Sequence, residues 1–296
     1  MKVRDDSSAK WFKLLAYVVV ILGCIFCVLP FLLILSGSFS SNESLITSGY
    51  HFLPRDFTLD GYKIIFELPQ EILRAYGVTI FTTVVGTTTG LFLMTMAGYV
   101  LQRKDFKSRN FFSFFIYFTT LFGGGLVPWY LLMTKYLKFG DSYYALIFPG
   151  LMTPFLIILM RSFIKSTIPD EIVESSKIDG AGDFKIYYRI VLPLSLPGIA
   201  TVGLFLALNY WNDWFSSALF INDSSKFQLQ FYLYNIMNTA SFLATFGGGG
   251  VSLSGGVPTE SMKMAMSIVV IGPILFLYPF IQRYFVKGLT IGAVKG

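Results

Sequence analysis

Six stretches of this 296-residue chain are apolar for long enough to cross a bilayer, and polar segments separate them. They run near residues 12–35, 75–101, 111–133, 143–160, 194–221 and 264–281. A spanning helix needs roughly 20 apolar residues, because the hydrocarbon core is about 30 Å thick. Within that core only helices and closed barrels satisfy their own backbone polar groups. The pattern therefore predicts an all-α, polytopic membrane protein with six transmembrane helices, and an even number places both termini on one side. Lysine and arginine favour the cytoplasmic loops. Of the 23 such residues, the terminal side takes those at 2, 4, 10 and 13, at 103–109, at 161–189 and at 283–295. Only Arg55, Lys63, Arg74, Lys135, Lys138, Lys226 and Lys263 fall on the other side. Both termini are expected to be cytoplasmic, with His51 and Lys226 outside.

The polar stretch from Glu174 to Pro193, ESSKIDGAGDFKIYYRIVLP, interrupts this pattern on the cytoplasmic side. Pro169 can open a helix, since a proline at the first helical position gives up no needed N–H. Asp170 and Glu171 then occupy the first turn, where the helix dipole favours negative charge. Asp179-Gly180 reads as a turn. A second short helix is expected after it, with Phe184, Tyr187, Tyr188 and Val191 at i, i+3, i+4, i+7 forming one stripe and Pro193 ending it. The expectation is two short helices at an angle, set across the end of the bundle as a docking surface. On the opposite side, residues 227–233 are expected to form a helix at the membrane surface. The runs Gly247–Gly250 and Gly255–Pro258 read as flexible linkers.

Composition narrows the class. Hydrophobic residues make up 54% and charged residues 14%, with a mean hydropathy of +0.63; soluble domains carry about 25% charged residues. The net charge of +6 follows from the loop asymmetry and gives no indication of nucleic acid. The first apolar run exceeds the 7–15 residues of a signal-peptide core, so it reads as a retained span. Cys24 and Cys27 are spaced as CxxC but sit in an apolar helix without ligands nearby, which leaves neither a zinc site nor a redox motif. No G-x-x-x-x-G-K-[ST] occurs, so the chain holds no P-loop for ATP. Asp213 is the exception to a near absence of ionisable side chains inside the spans. Ion-coupled transporters place carboxylates or histidines there, so the energy source is expected outside the bilayer. Gly86 and Gly90 form a GxxxG pattern, which permits close helix approach but also arises by chance.

The spacing of the polar stretch resembles the EAA loop of ABC-importer permeases: Glu-Ala-Ala, three residues, Gly, nine residues, Ile, one residue, Leu-Pro. Here it is Glu174-Ser175-Ser176, Gly180, Ile190, Leu192, Pro193, with serine for both alanines, a small-for-small change. Phe122-Gly123-Gly124-Gly125-Leu126-Val127-Pro128 interrupting the third run, Tyr210-Trp211-Asn212-Asp213-Trp214 in the fifth and the C-terminal stretch 285–296 are similar to the maltose-type carbohydrate branch, within it the oligosaccharide and complex-glycan subgroup of lipoprotein-linked and alginate-type systems.

The resemblance implies a single permease domain over 1–296, with a core of about 74–285 preceded by an N-terminal span and outer loop at 1–73. It implies an ATPase-coupling surface of Glu174, Ser175, Ser176, Asp179, Gly180, Ala181, Phe184, Ile190, Leu192 and Pro193. The implied partners are a second homologous permease, two ATP-binding cassette ATPases carrying the ATP and Mg, an extracytoplasmic sugar-binding protein, membrane lipid and an oligosaccharide. The implied location is the bacterial plasma membrane, and the chain has no catalysis or cofactor of its own. Tyr210, Asn212, Asp213 and Trp214 are candidates for the sugar path, since rings pack on pyranose faces and amides or carboxylates take hydroxyls. An interfacial aromatic belt accounts for the same residues. If the fifth run is one helix, Tyr210, Asp213 and Trp214 share a face and Trp211 lies off it. Two other classes stay open: an ion-coupled or facilitative secondary transporter, and a membrane scaffold without transport.

Overall fold

The structure is a computed structural model that describes residues 7–66, 69–246 and 260–275. The C-terminal stretch 285–296, the glycine runs after Phe246 and the end of the sixth apolar run lie outside these residues. Helices dominate, and the described residues contain no strand, only one isolated bridge between Ser40 and Phe57. In chain order they are α1 (Ser7–Ser38), α2 (Asn42–Ser48), α3 (Asp60–Ile65), α4 (Pro69–Gln102) and α5 (Arg109–Leu121). Then come α6 (Leu126–Tyr136), α7 (Tyr143–Gly150), α8 (Pro154–Thr167), α9 (Asp170–Ile178) and α10 (Asp183–Leu194). The last are α11 (Leu196–Trp211), α12 (Phe215–Phe220), α13 (Leu229–Phe246) and α14 (260–275).

Two compact units divide the described residues, one made of those within 1–69 and 236–273, the other of those within 70–235 and 274–275. In the first, Ser41 caps α2 by accepting from the Ser44 N–H at 3.2 Å. The Phe39 ring stacks on Phe57 at 5.7 Å, and Glu260 ties α14 to the start of α2 through its N–H on Asn42 Oδ1 at 2.9 Å. In the second unit, Met94, Met160, Ile164, Ile186 and Leu206 are fully buried in one core shared by α4, α8, α10 and α11. Lipid tails are as apolar as these side chains, so close packing rather than escape from water holds such helices together.

Two of the expected spans are single helices, Trp11–Ser38 and Pro69–Gln102. Three others differ. The third run is broken into α5 and α6, bent by 115° where Phe122 and three glycines intervene and Gly125 takes φ +88°. The fourth is α7 and α8, bent by 45° ahead of Pro154, which disfavours a helical residue before it. The fifth, expected as one helix over 194–221, is α11 followed by a break at 212–214 and then α12. There the Asn212 side chain donates to the Leu208 carbonyl at 2.9 Å and Asp213 Oδ1 accepts from the Ser216 N–H at 3.0 Å. Both bonds satisfy helix-end groups locally. The shared face of Tyr210, Asp213 and Trp214 therefore does not exist, because the helix stops at Trp211.

Pro193 does not end its helix either. The turn at Tyr187–Val191 is widened, with the Leu192 N–H reaching Tyr187 O, which relieves the clash a proline ring makes with the carbonyl four residues back. The chain turns instead at Ser195, by 80°. Pro169 precedes the first helical residue of α9 rather than forming it. Residues 227–233 are not a surface helix: Gln228 and Leu229 are fully buried. Gln228 donates to Thr82 Oγ1 at 3.1 Å and accepts from Ser217 Oγ at 3.0 Å, and the Leu229 N–H donates to Thr79 Oγ1 at 2.8 Å. A buried amide is tolerated when it is satisfied in this way, and here it pins the start of α13 against α4 and α12.

Candidate functional site

The Glu174 segment has two faces. α9 and α10 meet at a tight reversal where the Ala181 N–H bonds Ser176 O at 2.9 Å and the Gly180 N–H bonds Lys177 O at 3.0 Å. This is the Schellman arrangement, and it requires a left-handed residue at Gly180, whose φ is +77°. The inner face buries Val173, Ile186, Tyr187 and Val191, with the Tyr187 hydroxyl 2.7 Å from Thr95 Oγ1 of α4. The single stripe expected from the periodicity is split. Tyr187 and Val191 are buried, whereas Phe184 and Tyr188 are 67% and 64% exposed. With Ile178, 86% exposed, they make an apolar outer face. Glu174, Ser175, Asp179 and Gly180 are also exposed, while Ser176, Ala181, Ile190 and Leu192 are half-buried.

A charged clasp, missed from sequence, fixes this segment to the end of α4. Arg103 is only 9% exposed. It donates to Asp183 at 2.5 Å, to the Tyr99 hydroxyl at 2.8 Å and, through two nitrogens, to Asp105. Lys177 bridges to Asp105 at 2.6 Å, and Lys104 to Asp170 at 2.6 Å. Hydrogen bonds from Arg103 and then Lys177 hold the Asp105 carboxyl well below the usual carboxylate range, so it stays ionised at physiological pH. A pocket of about 190 Å³ opens between these groups, with Glu174 and Asp170 on its wall. The signal was present in the string only as unpaired charges about eighty residues apart.

A second cavity, of about 370 Å³, lies at the break after α11. Leu146, Pro149, Gly150 and Thr153 from the α7–α8 bend form one side. Asn209, Tyr210, Asn212, Asp213, Trp214 and Phe215 form the other, so the break gathers all four sequence-identified residues. Their roles separate. Tyr210 is 3% exposed and donates to the Ile147 carbonyl at 2.6 Å. A Cβ on Gly86 would stand 2.4 Å from its ring and one on Gly150 2.6 Å from its hydroxyl oxygen. Gly86 thus gives close approach, as its GxxxG spacing allows. Trp214 is 43% exposed and stacks on Tyr234 at 5.0 Å, and Gln230 donates to Asn212 Oδ1 at 3.2 Å. Trp211 is buried, beside Tyr76.

The family of binding-protein-dependent transport system inner membrane components matches residues 90–291, a region spanning both sites. This chain belongs to that family. The permease is 42% identical over 270 residues to protein LplC of Bacillus subtilis (strain 168), covering 91% of this chain and 90% of that one. It is 39% identical over 286 residues to the polygalacturonan/rhamnogalacturonan transport system permease protein YtcP of the same organism, covering 96% and 98%. Among solved structures, a bacterial ABC transporter involved in the import of the acidic polysaccharide alginate contains a chain that superposes with a TM-score of 0.78 at 28% identity, covering 96% of this permease and 99% of that chain. The chain is a membrane permease of an ABC importer and not an enzyme, and its family places it in the bacterial plasma membrane.

Proposed function

We propose that this permease is one membrane-spanning half of an ATP-driven importer for an oligosaccharide or complex glycan. A second homologous permease completes the path, and a sugar-binding protein delivers the cargo from outside. Two ATPase subunits dock beneath the pair of permeases, with the Glu174–Pro193 segment as this chain's docking surface, and hold the ATP and Mg themselves; this chain carries no cofactor. The observation that supports the docking role is the outer face of Ile178, Phe184 and Tyr188, apolar and exposed on a segment whose inner face is packed and clasped. ATP moves the assembly between inward- and outward-facing states only as far as its binding differs between them. The relatives named for polygalacturonan, rhamnogalacturonan and arabinooligosaccharide transport, and the alginate importer, support a carbohydrate cargo.

The test is co-purification of the tagged permease with its ATPase and the second permease, followed by uptake and hydrolysis in reconstituted vesicles. Removing one partner of a charged interface contact costs about 2–5 kcal/mol, so Glu174→Ala is expected to release the ATPase or let it hydrolyse without uptake. Gly180→Val forces a branched side chain into the left-handed region, a cost of roughly 1–2 kcal/mol, and is expected to weaken docking by unwinding the reversal. Normal uptake in both variants, or a permease that purifies without any ATPase, sinks the reading.

The proposed orientation has both termini and Lys177 inside. A cysteine replacing Ser225 is expected to react with an impermeant maleimide on intact cells, and one replacing Lys177 only after lysis. The reverse labelling pattern would invert the topology.

A further inference from the structure

Among the described residues lining the larger cavity, Asp213 is the one ionisable group besides the Tyr210 phenol, and none of those described residues is a lysine, arginine or histidine. The rest of the polar lining is neutral: Thr153, Asn209 and Asn212. The Asn212 amide is oriented at both ends, donating to Leu208 O at 2.9 Å and accepting from Gln230 at 3.2 Å. The apolar wall is Trp214, held by stacking on Tyr234 at 5.0 Å and by an edge contact with Phe215 at 5.8 Å. Stiff aromatic walls with a few placed polar groups are the usual makeup of small-ligand sites, and about 370 Å³ is at the lower end of their size range of about 300–1,000 Å³. That chemistry suits one sugar ring, with its C–H face on the indole and its hydroxyls on amides and a carboxylate.

It does not suit a uronate. A sugar carboxylate would find no cation among the described lining residues and would approach the Asp213 carboxylate, and like charges repel strongly at the reduced dielectric of a cavity. We propose that this cavity is a subsite for a neutral, hydroxylated ring of the transported glycan, and that Asp213 excludes uronate residues from it. This rests on the carbohydrate reading above and goes further, since relatives of this permease are named for acidic polysaccharides. In such a glycan the subsite selects the uncharged units.

The experiment uses the assembled transporter in detergent and matched disaccharides that differ only in oxidation at C6, in galacto, manno and gluco series. Binding is read by saturation-transfer NMR. In the wild type at least one neutral disaccharide is expected to bind on the order of tenfold more tightly than its diuronate. Asp213→Asn keeps an acceptor for the Ser216 N–H and is expected to bring the two within about threefold, since the like-charge repulsion is gone. Trp214→Ala is expected to abolish the signal of the neutral member. Three results overturn the proposal: no neutral disaccharide binding in any series, a diuronate binding as well as its neutral twin in the wild type, or a ratio unmoved by Asp213→Asn. Failure of the importer reading shows separately, as a complex that does not assemble with an ATPase.

Discussion

Arg103→Met is expected to leave a folded permease that no longer couples ATP hydrolysis to uptake. The guanidinium joins three parts of the structure: Tyr99 at the end of α4, Asp105 in the following loop and Asp183 at the start of α10. Asp105 and Asp183 are 54% and 68% exposed, so they rehydrate when the arginine is removed, and the loss falls below that of a fully buried pair. The expected destabilisation is about 1–3 kcal/mol, from the lost charge-assisted bonds. The larger consequence is geometric, because α9 and α10 lose their principal charged tie to α4. Arg103→Lys keeps the charge but not the planar fork that serves several acceptors at once, so it is expected to recover only part of the coupling. The measurements are melting temperature and the ratio of transport to hydrolysis in vesicles. A methionine variant that transports at the wild-type ratio would show the clasp to be dispensable.

Gly86→Val is expected to lower the yield of folded permease more than any exposed-face change in α4. The Tyr210 ring lies where the new Cβ would sit, 2.4 Å away, and its hydroxyl is already held on the Ile147 carbonyl at 2.6 Å, which limits its retreat. Overpacking of this kind costs roughly 1–3 kcal/mol or more. Tyr210→Ala is expected to cost about 3–5 kcal/mol as a large-to-small change in a packed site. Tyr210→Phe keeps the ring and loses only the bond to Ile147 O, about 1 kcal/mol. Gly86→Val combined with Tyr210→Ala is expected to be less damaging than the two losses added, because each removes the other's fault. Strict additivity, read from thermal unfolding of the purified complex, would mean the two residues do not share that contact.

The apolar runs made the helical membrane class legible, since about 20 consecutive apolar residues suit a spanning helix, whereas barrel strands are about half as long and alternate in polarity. The glycines at 123–125 also announced the break in the third run. The break after Trp211 was hidden, because Trp-Asn-Asp-Trp keeps an apolar average while Asn212 and Asp213 terminate the helix through local side-chain bonds. That one break turns an expected helix face into a cavity, and so the same four residues meet by a different route. Phe184 and Tyr188 were misplaced because i, i+3, i+4 spacing spreads side chains over a broad arc, and only the Tyr187 and Val191 part of that arc meets the core. Arg103, Asp105 and Asp183 gave no pattern to read: their pairing depends on a long-range meeting of chain segments. Tyr234 and Gln230 were likewise outside the apolar logic, although both support residues that the sequence did single out.

α4 has one property the bent pairs lack: it runs unbroken for 34 residues. At about 1.5 Å per residue it is roughly 50 Å long, against about 30 Å of hydrocarbon. Gly86, which seats Tyr210 under the aromatic cavity, and Gln102, which adjoins the clasp, are about 25 Å apart along this rod. A rod without a joint cannot absorb a push at one end by bending in the middle. On the proposed docking of an ATPase beside the clasp, a tilt imposed at that end of α4 is delivered along the rod to Tyr210 below the aromatic cavity, and the jointed helices around it must make the accommodation.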